Sequence, residues 1–528
     1  MKNIRRNAAV LTLTAACALS AGALVPISEA SAEKTLLGYF GDVNHDMSVN
    51  ADDLTLLESH ILNREILSMD CAYNADINQD GSIDSFDLTL LRKCVTGDME
   101  LIGIYSEDET TEPTTEPTTE APTDTPSEDF ITAPIAELDA GLPSQGNANL
   151  VIFYVDFPDC QYSYAPTADA TTEIAFGEED PSDPNYPFDS MHAFYSRSSK
   201  GAMNLQGQAF RYTTKENRSY YDTNKLGLLK ECYEAFDSTV DFSQFDGDGD
   251  GKIDASLLTV PTAAGNDDWW PCAGDSGGGS YTVDGKQLGH LITGNAQIES
   301  DTNYSNFISS YLHEMGHCMG LPDYYLYWGT DSEGMHGAAG IELMDTDAST
   351  DFGALSKLML GWYREDQISV YNTSMGTQTY TLSNAQTDNG NCVIIPLNNT
   401  LDSSYFSEFF IIEYASLDRN NSGVPWWQSQ GSGIRIYHAK ADVERGWFNY
   451  FKYQNGSEYN NSGDGIRFIK LVNDGDGDNY LHSGDVVTNS TPGFGWYDSS
   501  GNQTIDPGVT INIGDLANDT YTITISNK

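Results

Sequence analysis

The chain has 528 residues, more than one core organises, so two or more domains are expected. It carries 26 Lys and Arg against 78 Asp and Glu, a formal charge of -52, which repels polyanions and so excludes nucleic acid and anionic membrane surfaces as partners. Cations are the natural counterparts, the more so because many of the acids fall in short Asp/Asn/Gly loops whose oxygen-rich chemistry suits calcium.

Residues 1–32, "MKNIRRNAAVLTLTAACALSAGALVPISEASA", place Lys2, Arg5 and Arg6 ahead of an apolar run and end on Ala30-Ser31-Ala32, an A-x-A cleavage site. This is the pattern of a secretory signal peptide, with the mature chain starting at Glu33. Cys17 offers a lipoprotein alternative, which Thr14 and the apolar run past the cysteine disfavour. No later stretch is long and apolar enough to span a bilayer. Beyond Cys17 stand Cys71, Cys94, Cys160, Cys232, Cys272, Cys318 and Cys392, an odd set without Cys-x-x-Cys spacing, so at least one thiol is expected to be unpaired. Cys71 and Cys94 bracket one small module and are candidates to pair, with the connectivity left open.

An internal repeat follows. "DVNHDMSVNADDLTLLESHIL" from Asp42 and "DINQDGSIDSFDLTLLRKCVT" from Asp76 align without gaps at a spacing of 34 residues. Each copy puts oxygen side chains at positions 1, 3, 5, 9 and 12 of a calcium loop: Asp42, Asn44, Asp46, Asn50 and Asp53, then Asp76, Asn78, Asp80, Asp84 and Asp87. The position-7 ligand is a backbone carbonyl, from Ser48 and Ser82. Position 12 is Asp rather than Glu, and an apolar Leu-Thr-Leu-Leu helix follows each loop directly. These residues resemble a type I dockerin, a small all-α module folded by calcium that plugs a secreted enzyme into a cohesin module of a bacterial scaffoldin. The resemblance implies Ca2+ as cofactor, a cohesin as partner and a place in a cellulosome at the cell surface, with the module spanning residues 33–105. Met47 stands where the second copy keeps the turn glycine, Gly81, which weakens the first loop. Loop positions 10 and 11, which help select the cohesin, are Ala51-Asp52 and Ser85-Phe86; the two faces differ, against interchangeable docking in two orientations.

Residues 106–129, "SEDETTEPTTEPTTEAPTDTPSED", have almost no apolar side chain to bury, and their prolines and like charges keep them extended, so they read as a tether. After it, "ANLVIFYVDFPD" (148–159) is a continuous apolar run ended by a turn signal, as in a buried strand. Helical spacing recurs at 189–199, 224–236 and 303–319. Past residue 366 come short runs such as "TYTL", "CVIIPL", "FFIIEY", "GIRIYHA" and "TYTITI" between Asn/Gly/Asp/Ser turns. The expected class is α+β: a mixed domain over 130–366 and a β-sandwich-like region over 367–528.

One stretch carries metal chemistry. "SNFISSYLHEMGHCMG" (305–320) places Phe307, Tyr311, Leu312, Met315 and Met319 at helical spacing, with Ser305 or a neighbour as cap and Gly320 as stop. Residues four apart share a helix face, so His313 and His317 can present both imidazoles to one zinc at about 2 Å. Glu314 flanks that face too near in sequence to be a well-placed ligand, and suits a general base toward the attacking water. Gly320 lets the chain turn back, and Asp323, ten residues beyond His313, is the favoured third ligand, carboxylate being an ordinary zinc donor. His336 is a rival, as are Glu333 and Glu342 in the manner of thermolysin. The structural alternative is a buried helix with two hydrogen-bonded histidines and a capping Asp.

The pattern His-Glu-x-x-His-x-x-Gly-x-x-Asp, with Met344 beyond it in "GIELMDTDAST", resembles a metzincin with its Met-turn, the methionine that lies under the metal. "GLPSQGNANLVIFYVDFPD", "HEMGHCMGLPDYY", "LMDTD", "LSKLMLGW" and "FFIIEY...GSGIRIYHA" taken together are similar to the M6 peptidases, the immune inhibitor A family of secreted bacterial proteases, from about residue 142 onward. The resemblance implies Zn2+ on His313, His317 and Asp323, Glu314 as catalytic acid and base, and a protein or peptide substrate. The tyrosine that some metzincins place two residues past the methionine is absent, that position being Thr346; Tyr324, Tyr325 and Tyr363 are the nearby phenols. No usual pro-segment precedes the domain, the repeat module and tether taking its place.

A further loop, "FDGDGDGKID" (245–254), puts Asp246, Asp248, Asp250 and Asp254 at calcium-loop positions 1, 3, 5 and 9, with Lys252 lending its carbonyl. Its twelfth position is Leu257, so another ligand must come from elsewhere. "NDGDGDN" (473–479) is a weaker loop of the same kind, and Trp269-Trp270 read as core and surface aromatics. Together these features make a cellulosome-associated zinc endopeptidase the expected function. Two other classes compete: a binding component that has lost turnover, against which the intact His313, Glu314, His317 and Asp323 argue, and a carbohydrate-active enzyme, which needs paired carboxylates across a sugar cleft and leaves the zinc pattern unemployed.

Overall fold

A computed structural model describes residues 36–44, 48–50, 53–57, 74–75, 77, 91–92, 94–95, 103–105, 141–263, 269–276, 281–325, 337–345, 350–399, 407–423, 432–441, 443–445, 451–453, 466–472 and 479–528. The signal-peptide and tether readings, and the loop at 473–478, lie outside these residues. The chain divides into two compact units, Met1–Thr123 and Asp124–Lys528.

In the first unit the described core is Val43, Leu57, Ala75, Ile77 and Leu91. The expectation of an all-α module is corrected at its ends: β1 (Leu36–Tyr39) pairs antiparallel with β2 (Gly103–Tyr105), joining the two extremities of the repeat segment by a backbone ladder.

The second unit is mixed α and β. Its first sheet runs β4 (Met203–Thr213), β3 (Gly146–Asp156), β5 (Lys252–Thr259), β8 (Lys286–Gly294) and β6 (Cys272–Asp275), with β7 (Thr282–Val283) also on β8. The first four strands are mutually parallel and β6 and β7 run against them. Parallel neighbours require long crossovers. These carry α1 (Ala168–Phe176), α2 (Met191–Ser198), α3 (Arg218–Tyr221) and α4 (Lys225–Phe236). Thr167, Ser190 and Asn224 start α1, α2 and α4, each side chain accepting a backbone N–H three residues on. The apolar run of β3 divides by alternation: Leu150, Ile152 and Tyr154 enter one core, Val151, Phe153 and Val155 the other, with Leu228, Leu229, Cys232 and Tyr233 of α4.

Against the first of those cores lie α5 (Ser305–Cys318) and α6 (Ala354–Met359). Beyond them lies a second sheet, β14 (Ile469–Leu471), β13 (Gly433–Lys440), β12 (Glu408–Ala415), β11 (Cys392–Pro396) and β9 (Ile368–Val370), whose three central strands are buried on both faces. Phe409, Ile411, Tyr437 and Ala439 join the core of α5, while Phe410, Ile412, Ile434 and Ile436 pack with a third sheet. That sheet is β10 (Gln378–Ser383), β17 (Thr520–Asn527), β16 (Val509–Ala517) and β15 (Val486–Val487). One core thus runs from the parallel sheet through α5 into the second sheet, across residue 366. Among the described residues no helix is long and apolar enough to cross a membrane. Cys94, Cys160, Cys232, Cys272, Cys318 and Cys392 are free thiols, so Cys94 is not held in a disulfide; Cys71 lies outside the described residues.

Candidate metal centre

Helix α5 is held at both ends by features that aim it. Its apolar residues Phe307, Ile308, Tyr311, Leu312 and Met315 enter the core. No side chain of its own caps the N-terminus; instead Asn185 Oδ1 accepts from Tyr304 N at 3.0 Å and Ser305 N at 3.1 Å, from a residue 120 positions upstream. At the other end Leu321 N donates to Gly316 O at 3.1 Å and Gly320 N to His317 O at 2.8 Å, with Gly320 at φ +95°. This is a Schellman turn, and glycine supplies the left-handed residue it needs. It sends the chain back across the helix, and Asp323 arrives beside the two histidines.

His313 Nε2 lies 2.9 Å and His317 Nε2 3.3 Å from Asp323 Oδ1, and the two imidazole planes cross at 88°. All three side chains are buried. His313 Nδ1 is 2.8 Å from Leu343 O and His317 Nδ1 is 2.8 Å from Leu321 O. A carbonyl only accepts, so each Nδ1 carries a proton and each Nε2 faces Asp323. One candidate ligand atom from each of the three lies within 4.8 Å of the others. The structure therefore brings together His313, His317 and Asp323, with Glu314, itself buried, next to His313 on α5.

The charge balance of the three groups without a metal ion follows from this packing. Burial pushes His313 down, but the Asp323 carboxylate outweighs it and lifts the imidazole to about 10. His317 is raised by the same balance. Burial raises Asp323, and the two imidazoles overcome it and hold its carboxyl well below the usual range. The site is thus an anion between two rings that hold protons, which a divalent cation can replace.

The segment 342–345 supports the centre from behind. Met344 packs against α5 at Gly316, between the two histidines: a Cβ on Gly316 would lie 2.5 Å from Met344 Sδ. Gly316→Ala is expected to cost about 1–3 kcal/mol by overpacking, read as a lower denaturation midpoint in urea. Tyr324 N donates to Met344 O at 2.8 Å, so the turn touches both the histidine helix and the segment that bears Asp323. Of the rival third ligands, Glu342 is engaged elsewhere: it accepts from Met344 N, Gly353 N and Ser356 Oγ. His336, Glu333 and Thr346 lie outside the described residues. Among the three tyrosines, Tyr324 is buried with its hydroxyl 2.8 Å from Ser356 Oγ, and the ring of Tyr363 lies under Lys200 Nζ at 4.2 Å. Tyr325 stacks on His313, the ring centroids 6.1 Å apart and the planes 26° from parallel.

In the loop at 246–254, Asp246, Asp248 and Asp254 have ligand-type side-chain atoms within 4.8 Å of one another. Asp250 accepts from Lys252 N at 2.7 Å. Asp254 accepts from Gly247 N and Asn149 N and is pushed up to about 8, first by burial and then by the neighbouring Asp248 and Asp246. Lys286 Nζ, 2.5 Å from Asp246 Oδ2, brings a cation from the neighbouring strand. In the first repeat loop Asp53, fully buried, accepts from Asn44 N at 3.1 Å and Asn50 N at 2.8 Å, which draws the loop around its twelfth position. Asp42 is buried as well, its carbonyl accepting from Asn74 Nδ2. Asn44 and Asn50 are partly buried and Ser48 exposed, while Asp46 and the second-loop residues Asp76, Asn78, Asp80, Ser82, Asp84 and Asp87 lie outside the described residues.

Residues 40–96 match the family model of the dockerin type I domain. The chain carries a dockerin. A dockerin of this type binds calcium and implies a cohesin partner and an extracellular, cellulosome-associated protein. No curated protein matches the chain.

Several elements of the centre escaped the sequence reading. The carbonyls of Leu343 and Leu321 carry no residue-type signal, since every residue has one. Asn185 and Lys286 act across long sequence separations. Glu342 was legible only as an acid downstream of the two histidines, and stood there as a rival third ligand.

Proposed function

We propose that the second unit is a zinc endopeptidase carried by the dockerin. One observation bears most of the weight: His313 Nε2, His317 Nε2 and Asp323 Oδ1 converge, with both Nδ1 atoms bonded to carbonyls. The donor set fits zinc. Ligand atoms about 2.0–2.2 Å from a tetrahedral ion lie about 3.3–3.6 Å from one another; the observed 2.9 and 3.3 Å need only a slight opening. Two imidazoles and one carboxylate leave a fourth position open, as catalytic sites do.

Bound there, zinc supplies a Lewis acid that acidifies water and polarises a carbonyl. The residues do the rest. Leu343 O and Leu321 O fix the rings in the tautomer that presents Nε2. Glu314 takes the proton of the attacking water and hands it to the leaving amine. Met344 under Gly316 stops α5 from sinking away from Asp323. The sequence resemblance to M6 peptidases supports the same reading, and the dockerin would deliver the activity to a scaffold-bound assembly.

The test is hydrolysis of a mixed peptide library by the purified full-length protein, with metal content measured on the same preparation. The proposal expects cleavage inside peptides, about one zinc per chain, and loss of cleavage with a chelator reversed by zinc. Intact peptides from a zinc-loaded protein would refute it.

A further inference from the structure

We infer that Glu342 is the positioning residue of this centre: its carboxylate locks the turn whose backbone holds both ligand-bearing segments in place. The inference rests on the reading of His313, His317 and Asp323 as metal ligands. Glu342 is fully buried, and both of its oxygens are used. Oε2 accepts from Met344 N at 2.6 Å; Oε1 accepts from Ser356 Oγ at 2.6 Å and Gly353 N at 3.1 Å. With the Ser356 O–H donating to Glu342, the Tyr324 hydroxyl, 2.8 Å away, donates to Ser356 Oγ.

Two routes lead from this one carboxylate to the ligands. The first passes through the 342–345 turn: with Met344 N tied to Glu342 and Asp345 N to Glu342 O at 3.0 Å, the Leu343 carbonyl is fixed where it receives His313 Nδ1. The second passes through Ser356 and Tyr324, the residue after Asp323, whose own N–H returns to Met344 O. His313 and Asp323 are thus steadied through a common anchor, although Glu342 touches neither.

Glu342 suits this place because Met344 N, Gly353 N and Ser356 Oγ all approach it, and its carboxylate accepts from all three; glutamine would turn an NH2 toward one of these groups. Burying a carboxylate is costly: burial pushes Glu342 up to about 7, and its three hydrogen bonds offset only part of that push. Space is also fixed: a Cβ on Gly353 would lie 3.0 Å from Glu342 Cγ.

The experiment compares the full-length wild type with Glu342→Gln and the milder Ser356→Ala. Three readouts are taken: zinc affinity by competition with a fluorescent chelator, thermal unfolding of the metal-free protein, and the His313 Nδ1–H resonance. Glu342→Gln is expected to weaken zinc binding about 10- to 100-fold, the range for residues that orient metal ligands, with a far smaller effect on the metal-free fold. Its hydrolysis should recover when zinc is in excess, because affinity and not chemistry has been lost. Ser356→Ala should shift affinity in the same direction by less, and it keeps the test open if the glutamine variant fails to fold. Unchanged zinc affinity and an unchanged ring resonance in both variants would overturn the inference. Wild-type protein that takes up no zinc would instead overturn the parent reading, and the ring resonance would still decide the role of Glu342.

Discussion

Glu314→Gln protein is expected to bind zinc as the wild type does and to hydrolyse peptides about a thousandfold more slowly, within the range for losing a general acid and base. That is about 4 kcal/mol of barrier. The residue directly follows His313 on α5 and is buried at the site. Glutamine keeps the shape and removes only the ability to accept and return a proton, so folding and metal content should not move. The measurement is kcat/KM on one cleaved peptide, beside zinc content. A variant as fast as the wild type would mean that the proton is moved by another group.

Asp323→Ala is expected to strip the metal rather than slow the chemistry. It removes one donor and the charge that counters two buried imidazoles. Zinc affinity should fall by a factor of roughly a hundred to a thousand, one ligand's share of a total of about 10–16 kcal/mol. The same pair gives the site a pH signature. In metal-free protein His313 is held at about 10 by Asp323 against the effect of burial, above the value of about 6.5 for an unfolded histidine. Its contribution to stability is therefore complete below pH 6.5 or so and lost as pH rises through about 10. Asp323, held low, contributes above about pH 3.9 and loses that contribution as pH falls through its depressed value. Metal-free wild type should accordingly lose stability toward alkaline pH, and Asp323→Ala should not. Since zinc must displace the His313 proton, its affinity should weaken as pH falls from 10. Denaturant titrations of both proteins across pH, with and without zinc, check these signs.

What the sequence made legible was local or periodic. Helix α5 falls within the expected 303–319, because its apolar residues recur at helical spacing and Gly320 ends it. The apolar run at 148–159 became the buried strand β3, and the repeat from Asp42 matched the dockerin. The three converging side chains were readable because a four-residue step and one glycine turn fix them on one face. What was not readable depends on long-range closure. The cap on α5 comes from Asn185, and the tautomers of both histidines are set by carbonyls that no residue type announces. Glu342 looked like a ligand in one dimension and is a brace in three, since its partners sit on a later helix and its own turn. In the loop at 246–254, where regular spacing proposes four carboxylates and the Lys252 carbonyl, Asp246, Asp248 and Asp254 gather and Asp250 accepts from Lys252 N, a local turn contact that spacing alone does not announce. The strands that close the dockerin segment are too short, and too far apart in sequence, to carry a periodic signal.

The most direct test of the account is zinc-edge X-ray absorption on the purified wild-type protein. The account predicts nitrogen and oxygen scatterers at about 2.0–2.2 Å with the multiple scattering of two imidazoles, reduced to one imidazole in His317→Ala. A sulfur shell near about 2.3 Å, or a spectrum without imidazole scattering, would contradict it.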